Sequence, residues 1–273
     1  MALVPERAWV PERLDAPPFW PLARAFASLR EHGEWPDVEA LDRALAPGLT
    51  NHGGAPLRFE HQAPKPSRRR GLRCRDELYD ARIDREGVVP TRARSWHDLF
   101  NALVWATFPR AKAALAWRQH RALLARLPET FERLPPTRTA EQDALTLLDE
   151  GGGLVVVAHG SGEEVARRIE RGVLAPEPDV GLAIFGHAVY EHVLSTDAPL
   201  RVGAYVIEVA PEHARAVHER EPSALVAIDE ALATRLGALE VLRSIGTGVS
   251  LDAFRAPTER TSSSSAPPAR AAR

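Results

Sequence analysis

Apolar residues recur at helical spacing in several stretches of the chain. Leu22, Phe26 and Leu29 share one face of residues 21–30, whose other face carries Arg24 and Arg30, and Val38, Leu41 and Leu45 repeat the pattern in 37–45. The strongest helix starts at Ser95. SWHD is a capping box in which the serine hydroxyl accepts the N3 amide proton and Asp98 reaches back to the cap amide. That helix should run to Thr107, and Pro109 suits the first turn of a second helix carrying Ala113 to Leu127. Residues 139–149, from a Thr139 cap, and 223–236 read as further helices. The stretch VGLAIFGHAVYEHVLS, 180–195, is apolar nearly throughout and is expected as one helix buried on most sides.

Strand signals lie between them. LRFEH, 57–61, alternates, as does 201–210, and Tyr79, Ala81 and Ile83 alternate with Asp80, Arg82 and Asp84, which predicts a strand there too. GLVVVA, 153–158, is a continuous β-branched run and reads as a fully buried strand. It leads through HGSG into a helix. That turn resembles a phosphate-binding loop only weakly, because it lacks GxGxxG and GxxxxGK[ST], so a plain strand-to-helix connection is favoured. Between Ala46 and Arg75 eight prolines and glycines exclude long regular elements.

These elements predict an α+β fold, a helix-rich single domain packed around a small sheet. The expected boundaries are a flexible N-terminal arm over 1–17, the globular domain over 18–255, and a disordered Ser/Pro/Ala/Arg tail over 256–273 that has too little apolar surface to stay ordered. With 44% hydrophobic and 26% charged residues the chain can bury an ordinary core. A net charge of -2 excludes a surface that attracts polyanions as a whole, so such contact must be local. The one basic run, KPSRRRGLRCR over 65–75, reads as a solvated loop or a local anion patch, and nucleic acid is disfavoured as a partner because no aromatic platform or DNA-binding motif accompanies it. Cys74, the single cysteine, cannot form an intramolecular disulfide, and no identifiable base accompanies it. The start has no apolar signal-peptide core, and the longest apolar stretch falls far short of the roughly 20 residues a membrane span needs. A cytoplasmic protein with no membrane partner is the expectation.

Polar residues on otherwise apolar helices carry the candidate chemistry, because an unpaired buried polar group costs about 1 to 3 kcal/mol. His97 and Asn101 are four apart on the helix from Ser95, and His187 and Glu191 are four apart in the 180–195 segment. Asp149 and Glu150 end a helix where the dipole disfavours negative charge, so they need a cation: Arg92, Arg94, Arg110, Lys112 or a divalent metal. The 97/101 and 187/191 faces are expected to be buried and to face one another, with the two histidines within about 12 Å if they serve one small site. A purely structural hydrogen-bond network is the alternative.

YDARIDREGVVPTRARSWHDLFNALVWATFPRAKAAL, DALTLLDEGG and FGHAVYEH, in that order, resemble the bacterial domain-of-unknown-function 3025 family over roughly 20–250. That family has no established activity, so the resemblance supplies a group and no mechanism. It implies that the three motifs mark one region, here Arg92, Trp96, His97, Asp98, Asn101, Arg110, Lys112, Asp149, Glu150, His187 and Glu191. This chain departs from the pattern in its tail and in GVLAPEPDV, both away from those residues. Two function classes remain open. One is a hydrolase with a polar pocket between helices, in which His97, Asp149, His187 and Glu191 are catalytic, Arg92, Trp96, Asn101, Arg110 and Lys112 bind ligand, and His97, Asp149, Glu150, His187 and Glu191 are candidate ligands to a divalent metal. The other is a non-enzymatic module that grips an anionic ligand through arginines.

Overall fold

The computed structural model describes residues 8–62, 73–175, 177–196, 198–240 and 242–254. The expected tail and most of the basic run 65–75, with the anion patch proposed on it, lie outside the described residues.

The elements in chain order are α1 (Ala23–Phe26), α2 (Val38–Leu45), β1 (Arg58–His61), β2 (Arg73–Cys74), α3 (Tyr79–Glu86), β3 (Val88–Thr91), α4 (Trp96–Thr107), α5 (Pro109–Leu124), β4 (Thr130–Phe131), α6 (Ala140–Gly151), β5 (Gly152–Ala158), α7 (Gly162–Glu170), β6 (Val180–Ile184), α8 (His187–Ser195), β7 (Arg201–Val209), α9 (Pro211–His218), α10 (Leu225–Gly237) and β8 (Val249–Ser250). A four-stranded sheet runs β6-β5-β7-β8, in which β5 pairs antiparallel with β6 and parallel with β7. Leu154 stands between Ala183 and Tyr205, and Leu154 to Val157 are wholly buried, as a strand covered on both faces requires. Two small ribbons, β1-β3 and β2-β4, lie apart from it. The α+β class read from the sequence holds. Among the described residues no helix is long and apolar enough to cross a membrane.

Four expectations need correction. Residues 79–84 are helical. Six residues are too few to separate a period of 2 from one of 3.6, Ala, Arg and Glu favour helix, and Gly87 closes α3 in the left-handed region at φ 67°. The apolar stretch 180–195 is not one helix but β6 followed by α8, since a strand buried on both faces reads as apolar as a buried helix. Residues 21–30 form only one α-turn after a 3-10 segment, Pro17–Leu22, although Leu22, Phe26 and Leu29 are buried as their spacing implied. Residues 8–17, read as part of a flexible arm, are packed: Leu14 is buried, and Trp9 stacks on Trp96 with ring centroids 5.4 Å apart. Their aromatic and leucine side chains bury more apolar surface than a solvated arm could leave exposed.

The HGSG turn holds an anion of the chain's own. Glu208 on β7 accepts the amide protons of Gly160 and Gly162 at 3.0 and 2.7 Å, so a carboxylate takes the place a phosphate would have.

Candidate functional site

The site forms where α4, α6 and α8 meet, with α5 behind them. A backbone clamp sets its geometry. The amides of Phe185 and Gly186 both donate to Gly152 O, at 3.0 and 2.9 Å, so the start of α8 is pressed against the α6–β5 junction. Only glycine fits at 186, because a Cβ there would stand 2.4 Å from Gly152 N and 2.6 Å from Glu150 O. His187 follows Gly186, and Asp149 and Glu150 precede Gly152, so this close approach brings imidazole and carboxylates together. On the facing helix Ser95 accepts the Asp98 amide proton at 3.3 Å, starting α4 so that His97 lies in its first turn beside α8. The other half of the expected capping box is absent: the Asp98 carboxylate accepts from Arg92 N, Nε and Nη2 at 2.6, 3.0 and 2.7 Å.

The Nε2 atoms of His97 and His187 are 3.1 Å apart. His97 Nδ1 donates to Glu191 Oε2 at 3.1 Å, and His187 Nδ1 is buried with Asp149 Oδ1 at 3.8 Å. Glu150 Oε2 lies 3.4 Å from His187 Nε2 and 4.0 Å from His97 Nε2. His97, Glu150 and Glu191 are part-exposed, while the His187 side chain is 5% exposed, so the cluster opens toward solvent on the first three. His97, Glu150 and His187 can all offer ligand atoms to one metal ion.

Behind the imidazoles, Lys112 Nζ donates to Asp149 Oδ1 at 2.5 Å and to Asn101 Oδ1 at 2.9 Å. Of the four cations the sequence offered to the Asp149–Glu150 pair, Lys112 is the one that meets it. Asn101 Nδ2 in turn donates to the Tyr79 hydroxyl at 3.0 Å. Burial pushes Asp149 up, but Lys112 and His187 outweigh it and hold the carboxyl below its usual range. Burial pushes His187 down to about 4, against the pull of Asp149, so its ring is neutral at neutral pH. The hydrogen bond to Glu191 raises His97, with burial opposing. Burial and Asp149 raise Glu150, and His97 lowers Glu191. A charged His97 would therefore place one proton on the line between the two Nε2 atoms, donated by His97 to the lone pair of His187.

The structure thus brings together His97, Asp149, Glu150, His187, Glu191, Asn101 and Lys112. It places three expected ligand-binding residues otherwise. Trp96 is a core residue, 4% exposed, packed among Trp9, Trp35 and Phe100. Arg110 pairs with Glu230 on α10, and Asp229 accepts the amide protons of Arg110 and Ala111 at the start of α5, away from the cluster. Arg92 is committed to Asp98 by two of its guanidinium nitrogens. Arg94 is exposed, at φ 55° just before the Ser95 cap. Sequence reasoning missed Tyr79 and Asp80, which the strand assignment directed to the wrong faces. Asp80 and Asp84, one helical turn apart, were the available signal: burial and Asp149 push Asp80 up to about 6, and His120 Nδ1 donates to Asp84 Oδ2 at 2.7 Å.

No curated protein and no solved structure matches the chain. The family described as Protein of unknown function (DUF3025) matches residues 68–245, which span every residue of the cluster, and the chain belongs to that family.

Proposed function

We propose that this protein is a hydrolase whose attacking water is activated by a divalent metal bound to His97 Nε2, His187 Nε2 and a Glu150 carboxylate oxygen. The observation that carries the reading is the 3.1 Å approach of two Nε2 atoms, with the opposite nitrogen of His97 bonded to Glu191 and that of His187 3.8 Å from Asp149. Carboxylate-backed histidines orient imidazole lone pairs toward a metal and raise their basicity. With metal–nitrogen distances of about 2.0–2.1 Å, two donors on one ion stand roughly 2.8 to 3.4 Å apart between octahedral and tetrahedral angles. The His97–His187 and His187–Glu150 separations, 3.1 and 3.4 Å, fall in that range. The His97–Glu150 separation of 4.0 Å exceeds it and closes with a small rotation of the part-exposed Glu150 side chain. The metal would replace the proton held between the two rings.

Two imidazoles and one carboxylate leave a coordination position for water, the donor set of catalytic zinc sites. A metal there lowers the pKa of bound water toward about 7 and polarises a substrate carbonyl or phosphoryl oxygen. Glu191 holds the His97 ring by a hydrogen bond, Asp149 sets a negative charge 3.8 Å from His187 Nδ1, Lys112 neutralises Asp149, and the exposed side of His97, Glu150 and Glu191 admits substrate. The reading of a module that grips an anion through several arginines has less support, because Arg110 is turned to Glu230.

Elemental analysis of the full chain purified without chelator, with zinc titration against a chromophoric competitor, tests the proposal. One equivalent of metal is expected, lost in His97→Ala and His187→Ala, together with hydrolysis of some member of an ester, amide and phosphoester panel that a chelator abolishes and metal restores. Absence of metal and of zinc binding tighter than about micromolar would overturn it, since preformed three-ligand sites bind far more tightly.

A further inference from the structure

The meeting of His97 with His187 is one rung of the α4–α8 contact, and the next rung is aromatic. Phe100 stands one turn beyond His97 and Tyr190 one turn beyond His187, with ring centroids 5.6 Å apart. The third ring at that rung comes from neither helix. Phe19, buried in the 3-10 segment Pro17–Leu22, stacks on Phe100 at 5.8 Å and on Tyr190 at 5.6 Å, so it closes a triangle between the helices that carry the two imidazoles.

Its neighbours hold the same two helices and the strand before α8. Trp9 stacks on Trp96, the residue before His97, at 5.4 Å. Arg13 Nη1 donates to Leu194 O at 3.2 Å in the last turn of α8, where carbonyls lack intrahelical partners and a cation suits the helix dipole. Trp20 Nε1 donates to Leu182 O of β6 at 3.3 Å. A helix of nine residues has little stability of its own, so its place depends on such holds. α8 is pinned at its start by the Gly186 clamp, at its end by Arg13 and sideways by Phe19.

We propose that residues 9–22 are a strap that sets the α4–α8 separation for the metal centre, with Phe19 as its positioning residue. This inference rests on the metal-centre reading. The strap lies outside residues 68–245, the part of the chain that matches the family. Metal ligands keep their distances to within about 0.2 Å, whereas loss of a buried phenylalanine leaves a cavity that neighbouring elements move to fill in part. Without the ring, α4 and α8 shift and the 3.1 Å approach of the two Nε2 atoms is lost.

The test uses the full chain and measures zinc affinity by competition at a temperature where each variant is folded, beside melts in chelator. Phe19→Ala is expected to weaken zinc about 10- to 100-fold, the range for lost support of a ligand. Ile169→Ala, at a buried position of α7, should lower the melting temperature yet keep zinc within about twofold, since affinity falls only by the fraction of competent protein. Phe19→Leu keeps apolar volume but not the ring, and should weaken zinc by about threefold or more even if Phe19→Ala fails to fold. Zinc affinity unchanged in the Phe19 variants, or weakened equally in Ile169→Ala, would overturn the strap and leave the metal centre standing. Failure of the wild type to bind zinc would refute the metal centre. Imidazole nitrogen NMR of the chelator-treated protein then decides on the strap, which requires the His97 and His187 Nε2 signals to move in the Phe19 variants and not in Ile169→Ala.

Discussion

Lys112→Met offers the sharpest test of the ion pair beneath the imidazoles. The Lys112 side chain is 4% exposed, its ammonium lies 2.5 Å from Asp149 and 2.9 Å from Asn101, and it stands 5.6 Å from the centre of the Trp105 ring. Methionine keeps most of the volume and removes the charge, so little cavity forms and the effect is mainly electrostatic. Asp149, 16% exposed and at the unfavourable end of α6, then loses its bonded cation and keeps the neutral His187 nearby and the weaker pull of His97. Breaking one side of a buried pair costs about 3–5 kcal/mol, and at this chain length each kcal/mol lowers Tm by roughly 2–4 °C, so a fall of roughly 6–20 °C is expected.

The pH dependence of that penalty follows from the sign of the shift. Wild-type Asp149 is held below its usual range, so it contributes stability above its unfolded pKa and loses it as pH falls through the folded value. In Lys112→Met the largest charge opposing burial is gone and only the histidines stand against it, so the carboxyl is expected to rise and the variant to lose stability as pH rises. The difference between the two proteins is therefore greatest at neutral pH and shrinks toward acid. Thermal melts in chelator across pH 4–8, with Asp149→Asn and the double variant, measure it. The double variant should lose less than the sum of the singles. A neutral-pH shift below about 3 °C, or additivity within about 0.5 kcal/mol, would refute the reasoning.

Three further outcomes follow. Gly186→Ala forces a Cβ onto the Gly152 and Glu150 backbone, so it should cost about 1–3 kcal/mol by denaturant unfolding and weaken zinc binding; an unchanged midpoint with unchanged zinc affinity would mean that the close approach does not set the site. Asp229, 4% exposed, is pushed up to about 6 by burial although two amides of α5 oppose it. A carboxyl raised in the folded state binds more protons than in the unfolded chain, so its contribution falls as pH rises from 4 to 6, by on the order of 3 kcal/mol, and Asp229→Asn should flatten that part of the stability curve; parallel curves for the two proteins would contradict this. Glu191→Gln removes the carboxylate from His97 Nδ1 and should weaken zinc about 10- to 100-fold in a competition titration, whereas unchanged affinity would show that Glu191 does not support the ligand.

Much of the local structure was legible because it depends on neighbours in sequence. Thr139 with Gln142 forms a full capping box, Pro109 opens α5, and the β-branched run of β5 is a strand. The pairs His97/Asn101 and His187/Glu191 stood out because a polar residue on an apolar face demands a partner. Periodicity failed where its window was short or saturated. Tyr79 to Asp84 was too brief to distinguish helix from strand, and 180–195 was too uniformly apolar to reveal the break at Gly186.

What the sequence could not contain was which partner each polar residue would find. Four cations were available to Asp149, and packing of α5 against α6 selected Lys112, while Arg110 on the same helix turns to Glu230 of α10 and Arg92 is taken by Asp98 six residues on. The 3.1 Å meeting of His97 with His187 joins residues 90 apart in the chain. It depends on α8 being held against the α6–β5 junction by Gly186 and on α4 packing across α8. The residue types were written in the sequence, but long-range contacts determined their convergence, because distances between elements are set by how whole faces pack and not by spacing along the chain.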